Sequence, residues 1–213
     1  MRLNLKENIE FPFSDPDWAM KLLKTSIAYL LGLTAPAVFG YQLAVIRQTA
    51  NGEDETMPEF SSNNFGKLWM QGFVYCLMLF CLMFLPMMAV GMVTYGACMS
   101  MHDSSSVAGV AIAGVLLAMA LVMILCVVIP ALMLRYAMTE QVSSLLDIRS
   151  AISDMKHGPG DYALIFFFPM LASIVTTMVS ATGIGAILVF PLTILILIIQ
   201  GRMLGNYYRA YFQ

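Results

Sequence analysis

Apolar residues fall along this chain in five runs, at 22–46, 68–101, 107–134, 162–180 and 184–200, separated by short polar stretches. About 20 apolar residues in helical conformation cross the hydrocarbon core of a bilayer, so each run is a candidate membrane helix. No charged residue lies between Tyr162 and Gly201. As one helix those forty residues would measure about 60 Å, twice the ~30 Å core. A turn at Ala181-Thr182-Gly183 is therefore expected to divide them into two helices.

The connections differ. The loop after Arg47 carries the acidic cluster Glu53-Asp54-Glu55, and Asn63-Asn64 stands ready to cap the second run. Between the third and fourth runs, Met138, Val142, Leu145, Ile152 and Met155 recur at helical spacing opposite Glu140, Asp147, Arg149 and Asp154. This predicts an amphipathic helix over 135–155 lying on the membrane surface, ended by His157-Gly158-Pro159-Gly160.

Topology turns on the first run. If all five runs cross, Lys and Arg divide four against seven between the two sides; if the first does not, all eleven fall on one side. The positive-inside rule prefers the second arrangement, with the amino terminus in the cytoplasm. Pro36 in the middle of the run, flanked by Gly32 and Gly40, supports a bent or re-entrant segment, because an internal proline removes a helical hydrogen bond.

Composition agrees with the pattern. The chain is 60% hydrophobic and 11% charged, with mean hydropathy +0.79, where soluble domains carry about 25% charged residues. A net charge of −2 without a basic cluster gives no sign of nucleic-acid binding. The first twenty residues mix acids and bases without an apolar core, so no cleaved signal is expected. Cys76, Cys81, Cys98 and Cys126 all lie in apolar runs and read as reduced, buried residues.

Candidate chemistry is sparse. Ala28, Gly32, Pro36, Gly40 and Ala44 make a four-residue repeat of small side chains, suited to close helix packing within the chain or against a partner. Pro86, Pro130, Pro169 and Pro191 stand in the four later runs, where broken helices could line a transport path. Those runs hold no Asp, Glu, Lys, Arg or His, which argues against an ion-coupled carrier. Cys98-Met99-Ser100-Met101-His102 has soft ligand types for cuprous ion, but most of the nineteen methionines suit apolar packing. His102-Asp103-Ser104 cannot form a triad from adjacent positions, and no hydrolase, zinc-protease or nucleotide-binding motif occurs. No cofactor or metal site, and no enzymatic activity, is expected.

Four motifs in order carry a resemblance: Asp15-Pro16-Asp17-Trp18 with Lys21, Gly40-Tyr41 with Arg47, Pro58-Glu59-Phe60 ahead of Gly72, and Leu204-Gly205-Asn206-Tyr207-Tyr208-Arg209. Together they resemble an uncharacterised family of prokaryotic multi-pass membrane proteins, the domain of unknown function four thousand and thirteen. The resemblance implies an integral protein of the cytoplasmic membrane and brings no catalytic residues. The residues themselves suggest anchoring roles. Asp15 suits an N-cap, with Pro16 following at N1; Trp18, Tyr41 and Arg47 suit the headgroup level; Glu59 could pair with Arg47 or bind a partner.

The expected architecture is all-α: a single membrane domain over 1–213, with an interfacial segment 1–21, a kinked or re-entrant first helix, four transmembrane helices and the surface helix. The expected function is that of a non-catalytic accessory or scaffold subunit packing against other membrane proteins or a second copy. The alternative is a permease or channel-like transporter of a neutral or amphipathic solute. Interface or anchoring candidates are Asp15, Trp18, Gly32, Pro36, Gly40, Tyr41, Arg47 and Glu59.

Overall fold

A computed structural model describes residues 4–32, 34–53, 56–101, 103–182 and 185–213. Within them the regular structure is helical: α1 (Leu5–Ser14), α2 (Trp18–Leu30), α3 (Ala35–Ala50), α4 (Ser62–Met99), α5 (Ser104–Thr139), a 3-10 turn (Val142–Leu145), α6 (Ile148–Met155), α7 (Pro159–Ser180) and α8 (Gly185–Phe212). Helices α4, α5, α7 and α8 are long and apolar enough to cross a bilayer, which makes this an all-α, membrane-embedded protein. The chain divides into two compact units, 1–76 with 130–213 and 77–129.

In the first unit α8 is the spine, touched by α1, α2, α3 and α7. Asn206 donates to Asn8, Arg202 stacks on Phe11 and Phe190 meets Tyr29, so α1 and α2 run antiparallel to α8. Gly201 faces Gln42 and Val45, and Gly205 faces Ile46 and Thr49, so α3 runs parallel to it. The two registers together make α2 and α3 an antiparallel hairpin whose ends lie at one end of α8. The first apolar run therefore folds back on itself.

The turn is not where the proline predicts it. Gly32 has φ +64°, a left-handed conformation that glycine adopts without penalty, and ends the outgoing helix. Pro36 lies in the first turn of α3, where the amide it lacks would have no helical partner. The other four prolines are likewise not breaks: Pro86, Pro130, Pro169 and Pro191 each sit inside a helix that continues through them.

The single surface helix over 135–155 is also corrected. Helix α5 continues to Thr139 and is stopped by Glu140 at φ 54°; a 3-10 turn follows, and only α6 carries the amphipathic pattern. Arg135 remains in α5 and reaches Asp154 (2.7 Å) and Asp147 (3.3 Å), which folds this connection back against the helix that precedes it. The breaker before α7 falls as expected, with Gly158 as N-cap and Pro159 opening the helix. Helix α7 ends at Ser180; of the turn expected there, Gly183 lies outside the described residues, as do Asp54, Glu55 and His102. Asn63 and Asn64 fall in the first turn of α4 rather than ahead of it.

The second unit is an apolar hairpin of the later part of α4 and the earlier part of α5. A Cβ on Gly114 would lie 2.4 Å from the Thr94 hydroxyl oxygen, so glycine sets that helix crossing. Asp103 caps α5, accepting from the Ser106 N–H and from the Ser105 and Ser106 hydroxyls. That carboxylate is a helix cap, and no lysine or arginine occurs anywhere between residues 77 and 129.

The hairpin of α2 and α3 has a direct check. In a cysteine-free background, single cysteines at Asn4 and Asn51 should react with an impermeant maleimide from the same side of the membrane. Labelling from opposite sides would reject the fold-back.

Candidate functional site

Helix α3 is enclosed to a degree unusual even for a core: Ala37, Leu43, Val45, Ile46 and Ala50 are 0% exposed. Glycine makes this possible on two sides. A Cβ on Gly40 would lie 1.9 Å from the Leu68 carbonyl oxygen, and one on Gly72 only 1.7 Å from that of Pro36, so α3 and α4 cross backbone to backbone. Ala28, at 8% exposure, is buried in the same unit, while Gly32 meets nothing within 4 Å. The small-residue repeat is thus spent largely on packing within the chain.

At the polar end of this crossing Asp15 is 2% exposed. It is not the cap of α2, a position taken by Asp17. Instead its carboxylate accepts from the Asp17 N–H (2.8 Å), the Met57 N–H (2.8 Å) and the Lys21 ammonium (2.7 Å). Lys21 also donates to the Met57 carbonyl at 2.9 Å. Next to this knot the Tyr41 hydroxyl donates to the Pro58 carbonyl at 3.0 Å, and its ring packs edge-on against Phe60. Tyr41 is therefore buried beneath the 57–60 segment rather than placed at the lipid headgroups. Trp18 packs against the same cluster and edge-on to Phe13 at 5.1 Å.

Burial alone would raise the Asp15 pKa. The Lys21 ammonium and the Asp17 and Met57 amides outweigh it and hold the carboxyl below its usual range. With three fixed donors directed at its two oxygens, this group acts as a tie between the entry to α2 and the segment leaving α3.

Arg47 is drawn elsewhere than to Glu59. Its guanidinium donates to Glu140 and, at 2.6 Å, to the Gln71 side-chain oxygen, joining α3, α4 and the end of α5. Gln71 in turn donates to Glu140 at 3.2 Å. Glu59 stays exposed on the wall of a cavity of about 210 Å³ that Arg47, Asn64, Lys67 and Gln71 also line.

The closing motif serves the other side of the spine. Asn206 bonds Asn8 at 2.9 Å, Tyr207 donates to the Asp154 carbonyl at 2.8 Å and accepts from the Gly158 N–H at 3.2 Å, and Gly205 meets α3. The motifs that stand far apart in sequence thus converge on one joint. A family model described as protein of unknown function (DUF4013) matches residues 25–197.

The chain belongs to the DUF4013 family.

The match covers Gly40-Tyr41, Arg47, Pro58-Glu59-Phe60 and Gly72, while Asp15-Pro16-Asp17-Trp18 and the closing motif lie outside it. No curated protein and no solved structure matches the chain. For this DUF4013 member the structure adds residues that sequence reading did not single out. Asn8, Gln42, Arg135, Glu140 and Gln200 owe their roles to partners far along the chain, Gln42 donating to Gln200 at 3.2 Å. Their one available signal is polarity at the edge of an apolar run, which does not name a partner.

Two substitutions test the joint. Asp15→Asn leaves Lys21 largely buried without its counter-charge and should cost about 3 kcal/mol, the order expected for breaking a buried pair. Because the folded pKa is depressed, the ionic contribution is present above the ordinary carboxylate pKa of about 4 and is lost as pH falls through the folded value. Detergent thermal melts should therefore show a lower midpoint for the variant at neutral pH and a shallower loss on acidification. In a second comparison, Gly72→Ala should destabilise by about 1–3 kcal/mol through overpacking, whereas Gly91→Ala, with nothing within 4 Å, should be neutral or stabilising. Equal midpoints for these two variants would contradict the backbone crossing.

Proposed function

We propose that this protein is a non-catalytic accessory or scaffold subunit of the prokaryotic cytoplasmic membrane, with its amino terminus in the cytoplasm. The observation that carries the reading is the mismatch between its long helices and a bilayer. The uncharged stretch of α4 from Leu68 to Met99 and that of α5 from Ser104 to Leu134 run about 48 and 46 Å at 1.5 Å per residue, against a ~30 Å hydrocarbon core. Tilting, kinking or local thickening of the bilayer accommodates such an excess, and the cost of the mismatch favours association with other membrane helices. Along these helices Val93, Met92, Leu116 and Met123 are all more than half exposed, an apolar surface open to a neighbouring helix.

The orientation follows from charge. All eleven lysines and arginines lie in the first unit, most of them at the polar end where α1, the α3–α4 connection, α6 and the end of α8 meet. The positive-inside rule assigns that end to the cytoplasm. A permease for a neutral or amphipathic solute is the competing reading; it draws on the amide pair between α3 and α8 formed by the buried Gln42 and the half-buried Gln200. The unbroken course of the four proline-containing helices counts against it.

A photo-crosslinking residue at Val93 or Leu116, introduced in cells, should give a protein adduct of one defined mass, either a second copy or one other membrane protein. Adducts to lipid alone at both positions would remove the scaffold reading.

A further inference from the structure

Glu59 and Lys67 are two of the charged side chains at the polar end of the first unit that lie outside its ion pairs and side-chain hydrogen bonds, and they share one cavity. Glu59 and Lys67 both line the 210 Å³ cavity, and neither makes a hydrogen bond or ion pair with another described residue. The cavity's inner polar wall is fixed: Gln71 and Arg47 are locked to each other and to Glu140. Asn64 adds an amide at the rim, while Ala44 and Leu68 close the side from which the apolar part of α4 departs.

This arrangement sets a separated pair of opposite charges at the level where a membrane helix meets the headgroups. A simple anion would gain from Lys67 and Arg47 but be repelled by Glu59, and a simple cation would meet the reverse. A zwitterion with phosphate and primary ammonium satisfies all three groups. We propose that the cavity binds the phosphoethanolamine headgroup of a bilayer lipid, phosphate on the side of Lys67 and Arg47, ammonium against Glu59, acyl chains leaving past Leu68. Charge-assisted hydrogen bonds of this kind are the stronger class, and Asn64 and Gln71 offer further polar contacts. The assignment is independent of the scaffold reading, since a lipid could occupy this cavity whether or not the long helices have a protein partner.

Native mass spectrometry of the purified full chain, delipidated and then given one lipid at a time, tests it. Phosphatidylethanolamine should be retained roughly tenfold better than phosphatidylglycerol, which lacks the ammonium, and better than phosphatidylcholine, whose ammonium has no N–H to donate. Glu59→Gln should abolish that preference, and Lys67→Met should weaken retention of all three lipids. Neither side chain has a partner to lose, and unchanged helical circular dichroism of both variants would confirm that they fold. Equal retention of the three lipids by the unaltered protein, or an undiminished preference in Glu59→Gln, would overturn the assignment. Soluble glycerophosphoethanolamine separates the sources: displacement of bound lipid supports headgroup recognition, whereas saturable binding of the soluble compound to protein that retains no lipid would reject a lipid occupant.

Discussion

In hydrocarbon a helix gains little by hiding apolar side chains, because lipid tails are as apolar as leucine, so the burial of α3 depends on how closely backbones can approach it. Gly40 and Gly72 remove the side chains that would hold α3 away from α4, and Gly201 and Gly205 do the same toward α8. Close approach brings many more atoms within dispersion range and lets a short helix be gripped from both sides. The α2–α3 hairpin follows from this: a segment that folds back on itself needs partners along its length, and α8 with α4 supplies the walls.

Packing alone would leave the hairpin free to open at its polar end, where there is no lipid to confine it. The Asp15 carboxylate closes it. One group near the start of α2 takes hydrogen bonds from the Met57 amide beyond α3 and from Lys21, while Lys21 returns a bond to the Met57 carbonyl. Entry and exit are held together within a few ångströms, and the cost of burying two charges is offset by three directed donors rather than by coulombic attraction alone. Tyr41 then seals the underside of the same segment from within the bundle of α3, α4 and α8. Held this way, the 57–60 segment has a fixed course, and the exposed Glu59 acquires a fixed position opposite Arg47 and Lys67.

How much of this was legible in the sequence differs from element to element for physical reasons. Span existence was readable because it depends on the length of an apolar run, and α4, α5, α7 and α8 all fall on the expected runs. The fold-back of the first run was readable from charge distribution, a global quantity, while its turn was misplaced onto Pro36 because a proline is equally content as a break or in a first turn. The left-handed Glu140 that divides the expected surface helix could not be anticipated, since periodicity through 135–155 continues across it. Among the candidate site residues, Gly40 meets the backbone of α4, the close approach that its small-residue repeat suggests, whereas Tyr41 reaches a carbonyl of the 57–60 segment and not the headgroup level. The assignment of Arg47 to Glu59 failed because proximity in sequence favoured it, whereas α5 brings Glu140 from 93 residues away.

Asp15 and Glu59 therefore have opposite fates, and the contrast separates structure from recognition. Asp15 is enclosed and fully engaged, so any further ligand would have to displace an amide or an ammonium that the fold itself requires. Glu59 lies within the stretch matched by the family, is exposed, and faces two cations without contacting either. A pair of opposite charges kept apart by a rigid wall retains most of its capacity to bind, because neither charge has been neutralised by the other and little reorganisation is needed when a ligand bridges them. The rigidity comes from the Arg47–Gln71–Glu140 triad, in which both terminal nitrogens of the guanidinium are tied down. The glycine crossing positions α4, the Asp15 knot positions the 57–60 segment, and the polar cavity is what lies between the two.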